Sequence, residues 1–268
     1  MDSVNYSKAI FNSIKSEFHT IAASLNLPPV QFIPISALYG ENVTTGSENM
    51  RWFTGKHLLA ELEAAIPAHV DSKKNRCTIQ YSSGGANEHF AFGKIISGSF
   101  SINDEVIIWP TQSRSRITKL TANCNEVSKA IAGDNITFYL AENQKVKRGD
   151  LISTGLETPK CSIAITANLC WLDDTAPLRL NHNYILRVNA SEVQCTITEV
   201  IYKIDVKSLE KYNDALDVEV NTFALVKIET ESPITFDLFS DVPNNGRGIL
   251  IDLTSNNTCG AFTIESSK

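Results

Sequence analysis

From Cys77 onward the chain keeps one pattern. Short runs of alternating apolar and polar residues, "CTIQY", "HFAFGKIIS", "DEVIIWP", "SRITKL" and "NITFYL", are separated by glycine, asparagine and aspartate. An alternating run is a strand with one buried face. Strands this short, arriving roughly every 8–12 residues with turn signals between them, must close on one another as a small barrel or sandwich. A second series starts near Cys161: "CSIAITANLCWL", "NYILRVN", "VQCTITEVIYKID", "VNTFALVKIET", "RGILIDLT" and "GAFTI". Residues 67–155 and 156–268 are each expected to form an all-β barrel domain, and the polar, proline-led "PAHVDSKKN" reads as a linker.

Residues 1–66 obey a different grammar. Val4, Ile10, Phe11, Ile14, Phe18 and Ile21 recur at helical spacing, which predicts a helix over 5–25 with Ser3 or Asn5 as its cap. "VQFIPIS", residues 30–36, is almost wholly apolar, the pattern of a strand covered on both faces. "TGKHLLAELEAAI" puts Leu58, Leu59, Leu62 and Ile66 on one face of a second helix, with Thr54 placed to cap it. A doubly covered strand belongs to a parallel sheet, and every parallel neighbour needs its own crossover unit. Only one such strand is present, so this segment is expected to be the last part of a larger α/β domain.

Charge and composition narrow the functional classes. The chain is 43% hydrophobic and 20% charged, ordinary for a globular protein. No apolar run approaches the roughly 18 residues of a membrane span, and the N-terminal apolar residues are periodic, unlike a signal peptide. Residues 1–66 carry 4 basic and 6 acidic side chains, residues 67–155 carry 11 and 8, and residues 156–268 carry 9 and 16. The last segment, at −7, disfavours nucleic acid, whose binding is mainly electrostatic. Six cysteines without a CxxC pair read as reduced, buried thiols, and five scattered histidines offer no metal-ligand spacing. The chain reads as cytoplasmic.

Most catalytic templates are absent: the sequence holds no GxSxG, HExxH or GxxxxGK[ST]. "SSGGANEHFAFG", residues 82–93, opens no helix and reads as a hairpin turn rather than a phosphate cradle. "WLDDTAPL" and "KRGD" read as turns. "SRSRITK" offers Arg114, Arg116 and Lys119 near Trp109, which reads as a solvated barrel face in preference to a nucleic-acid patch.

Two stretches carry more. "AFGKIISGSFSINDEVIIWP" and "AIAGDNITFYLAENQKVKRGDLIS" supply Gly93, Gly98, Asn103-Asp104, Ala132-Gly133-Asp134 and Arg148-Gly149-Asp150 in order. Together they resemble the second domain of the elongation factor Tu superfamily of translational-type GTPases. The loop "GENVTTGSENMRWFTGKHLLAELE" and the stretch from Val200 to Phe262 resemble, within that superfamily, the GTPase subunit of sulfate adenylyltransferase. The marks are Tyr202-Lys203-Ile204-Asp205, Asn221, Pro233, Asp237, Ile249-Leu250-Ile251-Asp252, Asn256, Thr258 and Gly260-Ala261. Where the family ends its last strand Gly-Ala-Gly, this chain has Gly260-Ala261-Phe262.

The resemblance implies a fold: an α/β remnant of a P-loop GTPase domain over 1–66, followed by two all-β barrel domains. It also implies a guanine site. Met1-Asp2 resembles the second half of the Asn-Lys-x-Asp loop, whose aspartate accepts from guanine, and Ser36-Ala37-Leu38 resembles the Ser-Ala-x segment whose backbone meets the base. The expected guanine-binding residues are Met1, Asp2, Ser36, Ala37 and Leu38, with no catalytic or metal-binding residue in the chain. GTP with Mg2+ would belong to the intact subunit, neither being expected to bind tightly to this chain. The expected partner is the small ATP sulfurylase subunit, which performs adenylyl transfer. Two other readings stand beside this one: a translation factor fragment whose barrels hold tRNA, and a nucleotide-independent partner-binding module.

Overall fold

A computed structural model of the chain describes residues 1–25, 27–65, 74–84, 89–122, 125–141, 144–155, 157–205, 210–213 and 217–267. The chain divides into two compact units, Met1–His69 and Val70–Lys268.

The first unit holds two helices, α1 (Lys8–Ser24) and α2 (Leu58–Ala64). Asn5 and Tyr6 both take left-handed backbone, so the chain reverses before α1 and the cap falls to Ser7 rather than Ser3 or Asn5. The Ser7 side chain accepts from the Ile10 amide at 3.4 Å. For α2 the cap is His57, whose Nδ1 accepts from the Ala60 amide, not Thr54. Phe11 packs on Trp52 and Phe53 with centroids 5.4 and 6.4 Å away, and Phe18 meets Phe32 at 5.6 Å. Elsewhere on the apolar stripe of α1, Ile10 and Ile14 are exposed, Ile14 by 58%. The strand expected over 30–36 does not form. Among the described residues its only ladder contact is a single bridge from Ser36 to Glu41, because an extended segment becomes a strand only beside a hydrogen-bonded neighbour.

The second unit is two closed barrels. The first comprises β1 (Arg76–Gly84), β2 (His89–Ser97), β3 (Glu105–Trp109), β4 (Ser113–Ala122), β5 (Asn135–Leu140) and β6 (Leu151–Thr154). Its ring order is β1-β2-β5-β4-β3-β6, closed by pairing of β6 with β1, all antiparallel. The second comprises β7 (Lys160–Trp171), β8 (Asn183–Val188), β9 (Ser191–Ile204), β10 (Phe223–Phe236), β11 (Arg247–Asp252) and β12 (Thr258–Ser267). Its ring runs β7-β10-β9-β8-β11-β12 and closes back on β7. Each barrel fills itself with alternate side chains. Ile79, Ile95, Val106, Ile117, Ile136 and Phe138 are among those lining the first interior, and Trp171, Tyr184, Leu186, Val226 and Phe236 are among those lining the second.

Three turns of the first barrel are one device used three times. In each, an aspartate carboxylate accepts from the amide three residues before it: Ser101 to Asp104 at 2.8 Å, Ile131 to Asp134 at 2.9 Å, Lys147 to Asp150 at 2.8 Å. The residue preceding each aspartate, Asn103, Gly133 or Gly149, is left-handed. That is the type II arrangement, and it explains why Asn or Gly stands before Asp in "IND", "AGD" and "RGD". "KRGD" is such a turn. In "WLDDTAPL", Asp173 accepts from the Thr175 amide and hydroxyl, again a turn. Of residues 82–93, the strand ends pair as a hairpin, and residues 85–88 lie outside the described residues. So do Ile66, Cys124 and the expected boundaries at 66–67 and 156.

Phe262, which replaces the expected glycine, sits extended and buried on β12 opposite Gly248. A Cβ at Gly248 would lie 2.6 Å from the Phe262 ring and 2.4 Å from the Arg187 carbonyl, so the missing side chain makes the room the ring occupies. Among the described cysteines, Cys77, Cys195 and Cys259 are buried, whereas Cys161 is exposed and departs from the expected burial.

The barrels are joined through polar groups. The Arg76 guanidinium, 0% exposed, meets the Asp237 carboxylate with two parallel bonds of 2.8 and 2.9 Å. The Asn245 side chain donates to the same carboxylate at 2.8 Å and accepts from Asn189 at 2.9 Å. Outside this core, Lys74 pairs with Asp241 at 2.8 Å, and Asn244 donates to the Ile96 carbonyl at 3.2 Å. Removing one partner of a fully buried pair strands the other charge, so Arg76→Met is expected to lower stability by about 3–5 kcal/mol. The double replacement Arg76→Met/Asp237→Leu is expected to recover most of that loss. Urea denaturation of the three proteins measures it, and a single-variant loss below about 1 kcal/mol would contradict the burial account.

Candidate functional site

The first unit brings together the two segments singled out by sequence. Residues 34–43 form a tight loop pinned at both ends. The Ser36 amide donates to the Glu41 carbonyl at 3.1 Å, and the Asn42 side chain, buried with left-handed backbone, donates to the Pro34 carbonyl at 2.8 Å. The Asn42 carbonyl in turn accepts from the Leu58 amide, which ties the loop to the start of α2. Asp2 arrives on a short 3-10 turn, and the Met1 amine donates to the Ile35 carbonyl at 2.8 Å. Across this junction the buried Ser36 hydroxyl donates to Asp2 Oδ1 at 2.6 Å. The Ser36 hydroxyl holds the Asp2 carboxyl below the usual carboxylate range.

The five sequence-predicted residues separate into two roles. Met1 and Ser36 act inward: one anchors the turn through its backbone, the other through its side chain. Asp2 remains 29% exposed. Ala37 and Leu38 face outward, Leu38 by 75%, and the neighbouring Tyr39 is also exposed. Sequence reasoning passed over Tyr6, Glu41, Asn42 and Trp52. Burial, and then Glu41, push the Tyr6 hydroxyl upward, and the Trp52 indole donates to the Tyr6 carbonyl at 3.0 Å. Only Asn42 carried a signal, since asparagine tolerates left-handed backbone after a glycine turn.

The arrangement offers an ionised acceptor beside an exposed apolar lip. It has no nucleophile. A Cys–His–Asp trio does exist at one end of the second barrel, where His182 Nε2 lies 3.1 Å from Asp252 Oδ2 near Cys259. Burial pushes the Cys259 thiol up to about 12, so it stays protonated at neutral pH, and no hydrogen bond among the described residues links it to His182. Asp252 serves its own turn there, accepting from the Thr254 and Ser255 amides. In the "SRSRITK" stretch, Arg116 pairs with Glu105, Lys119 lies near Glu126, and Trp109 is buried with its indole on Ser153. Those groups are committed to the barrel.

Residues 164–265 match the family model described as GTP-eEF1A C-terminal domain-like. The bifunctional enzyme CysN/CysC of Xylella fastidiosa is 32% identical over 99% of this chain and 43% of its own length. Sulfate adenylyltransferase subunit 1 of Psychromonas ingrahamii is 31% identical over 100% of this chain and 57% of its own. The chain is a homologue of sulfate adenylyltransferase subunit 1. It spans about half the length of the curated relatives it matches. Sup35 complexed with GDP superposes on this subunit 1 homologue with a TM-score of 0.68 at 17% identity, covering 98% of this chain and 66% of that one. The elongation factor SelB of Methanococcus maripaludis gives 0.61 at 17%, covering 79% and 46%. At that identity they share the fold of the barrels. Among the described residues no helix is long and apolar enough to cross a membrane.

Two titrations probe these clusters. Ser36→Ala is expected to move the Asp2 carboxyl up toward its ordinary value, read by carbon NMR of the Asp2 carboxyl, and an unmoved titration would deny the bond its role. At Asp252 the Ser255 amide, with His182 and Thr254 assisting, holds the carboxyl down to about 2. A depressed carboxylate stabilises the fold above its unfolded value of 3.8 and loses that contribution as pH falls toward about 2. The melting temperature of Asp252→Asn is therefore expected to lie below wild type at neutral pH and to converge with it across that acid window.

Proposed function

We propose that this chain provides the guanine-reading and partner-holding parts of the GTPase subunit of a sulfate adenylyltransferase, which couples GTP hydrolysis to formation of adenylyl sulfate and pyrophosphate from ATP and sulfate. The observation that carries this reading is the hydrogen bond from Ser36 to Asp2, made across 34 residues in a homologue of subunit 1. An ionised carboxylate only accepts, and the guanine edge offers two donors, the ring N1–H and the exocyclic amine. Ser36 orients Asp2 for that edge, while the exposed Ala37, Leu38 and Tyr39 are positioned to cover the base.

GTP with magnesium, when bound to the whole subunit, supplies the phosphoanhydride whose hydrolysis is coupled. Within these 268 residues no glycine-rich loop with its lysine is present to neutralise phosphates, so this chain gains affinity from the base alone and hydrolyses nothing. Residues 1–66 act as part of a larger α/β domain: the exposed Ile10 and Ile14 on α1, and the extended segment before Ser36 with its single bridge, support a missing sheet. The barrels transmit the nucleotide state and hold the small ATP sulfurylase subunit, in the cytoplasm.

Saturation-transfer NMR with millimolar guanosine and adenosine tests the base pocket. Guanosine is expected to receive the stronger transfer, and Asp2→Asn is expected to abolish the difference. Equal transfer to the two nucleosides in the wild-type chain would overturn the assignment, as would GTP turnover by the purified chain in a phosphate-release assay.

A further inference from the structure

The two barrels enclose a cleft of about 1190 Å3 whose charge is one-sided. Lys94 and Arg148 line it from the first barrel, Arg187 and Arg247 from the second, and among the described residues no aspartate or glutamate does. Arg187 is paired with Glu192. The other three are not neutralised: Arg247 bonds only the neutral Asn244 side chain at 2.8 Å, and among the described residues Lys94 and Arg148 have no ion-pair partner. The fold holds them there. Lys94 stands opposite Thr78 in the β1–β2 ladder, and the turn carrying Arg148 is pressed on the second barrel, where a Cβ on Gly149 would come within 3.0 Å of the Ser191 backbone.

Uncompensated cations on facing walls reinforce one another, because a crevice with low-dielectric walls concentrates the field. This happens in a chain of net charge −6, whose last segment alone stands at −7. The cleft thus joins the basic side of the first barrel to a positive patch on an otherwise acidic second barrel. It also has an apolar side: Phe223, 46% exposed, and Phe239 line it. The ring strands of both barrels are paired on both sides and offer no edge for an incoming strand to extend, so recognition rests on side chains.

We propose that this cleft is a docking site for an acidic peptide segment of a protein partner, one that alternates carboxylates with large apolar side chains. Carboxylates would pair with Lys94, Arg148 and Arg247, and apolar side chains would cover Phe223 and Phe239. The size of the cleft and its apolar wall exceed what a single small anion uses. A nucleic acid strand running on beyond the cleft would cross the acidic second barrel and be repelled, whereas a short acidic segment ends before it.

The test uses the full chain and a fluorescein-labelled peptide of about a dozen residues alternating Glu with Leu or Phe, followed by fluorescence anisotropy. Binding is expected, weakening with salt, and the double variant Lys94→Glu/Arg148→Glu is expected to lower affinity by at least about tenfold. Arg247→Gln, a milder change at an exposed residue, is expected to weaken it in the same direction, which keeps the test valid if the double variant misfolds. A peptide with every Glu replaced by Gln should not bind. Absence of wild-type binding, equal binding of the Gln peptide, undiminished binding to the variants, or tighter binding of single-stranded RNA would each overturn the proposal. The guanosine response at Asp2 is measured separately, so failure of one leaves the other standing.

Discussion

The guanidinium of Arg76 and the carboxylate of Asp237 are both withdrawn from water, and neither could remain so without the other. Arg76 begins the first strand of one barrel, and Asp237 directly follows a long strand of the other. Their parallel bonds fix distance and angle together, which a greasy contact would not, since apolar surfaces tolerate sliding. Asn245 and Asn189 extend the network and leave the carboxylate no alternative partner of equal quality. The relative placement of the barrels, and with it the walls of the basic cleft, follows from this joint.

Closure of the barrels has a second consequence. The six strands of each barrel ring are paired on both sides, so what the rings present to other molecules is side-chain chemistry. The first unit is the opposite case. Its helix α1 half-buries Phe11 and Phe18 against aromatic neighbours but leaves Ile10 and Ile14 exposed on its apolar stripe. The barrels bury their apolar faces internally, whereas the first unit keeps part of its helical apolar face exposed.

Much of this is legible in sequence where the signal is local. Alternation with period two announces the strands, and the Asn/Gly-Asp pairs mark turns whose carboxylates bond an amide three residues back. Where several local solutions compete, the sequence misleads. Ser3, Asn5 and Ser7 are all able to cap α1, and the left-handed pair Asn5-Tyr6 decides for Ser7. The apolar run at residues 30–36 has the composition of a buried strand, yet without a strand alongside it keeps only the Ser36–Glu41 bridge. Phe262 stands where a small residue was expected, and Gly248 on the neighbouring strand has no side chain to compete for the space.

The sequence by itself determined the two helices of the first segment and the two all-β barrels that follow it. It could do so because periodicity and turn chemistry act over a few residues. Only the tertiary structure decided that Ser36 bonds Asp2 across 34 residues, that Arg76 meets Asp237 across 161, and that Lys94, Arg148 and Arg247 line one cleft. Charged groups attract or strand one another strongly only once folding has removed the water between them, and no local pattern records where that will happen.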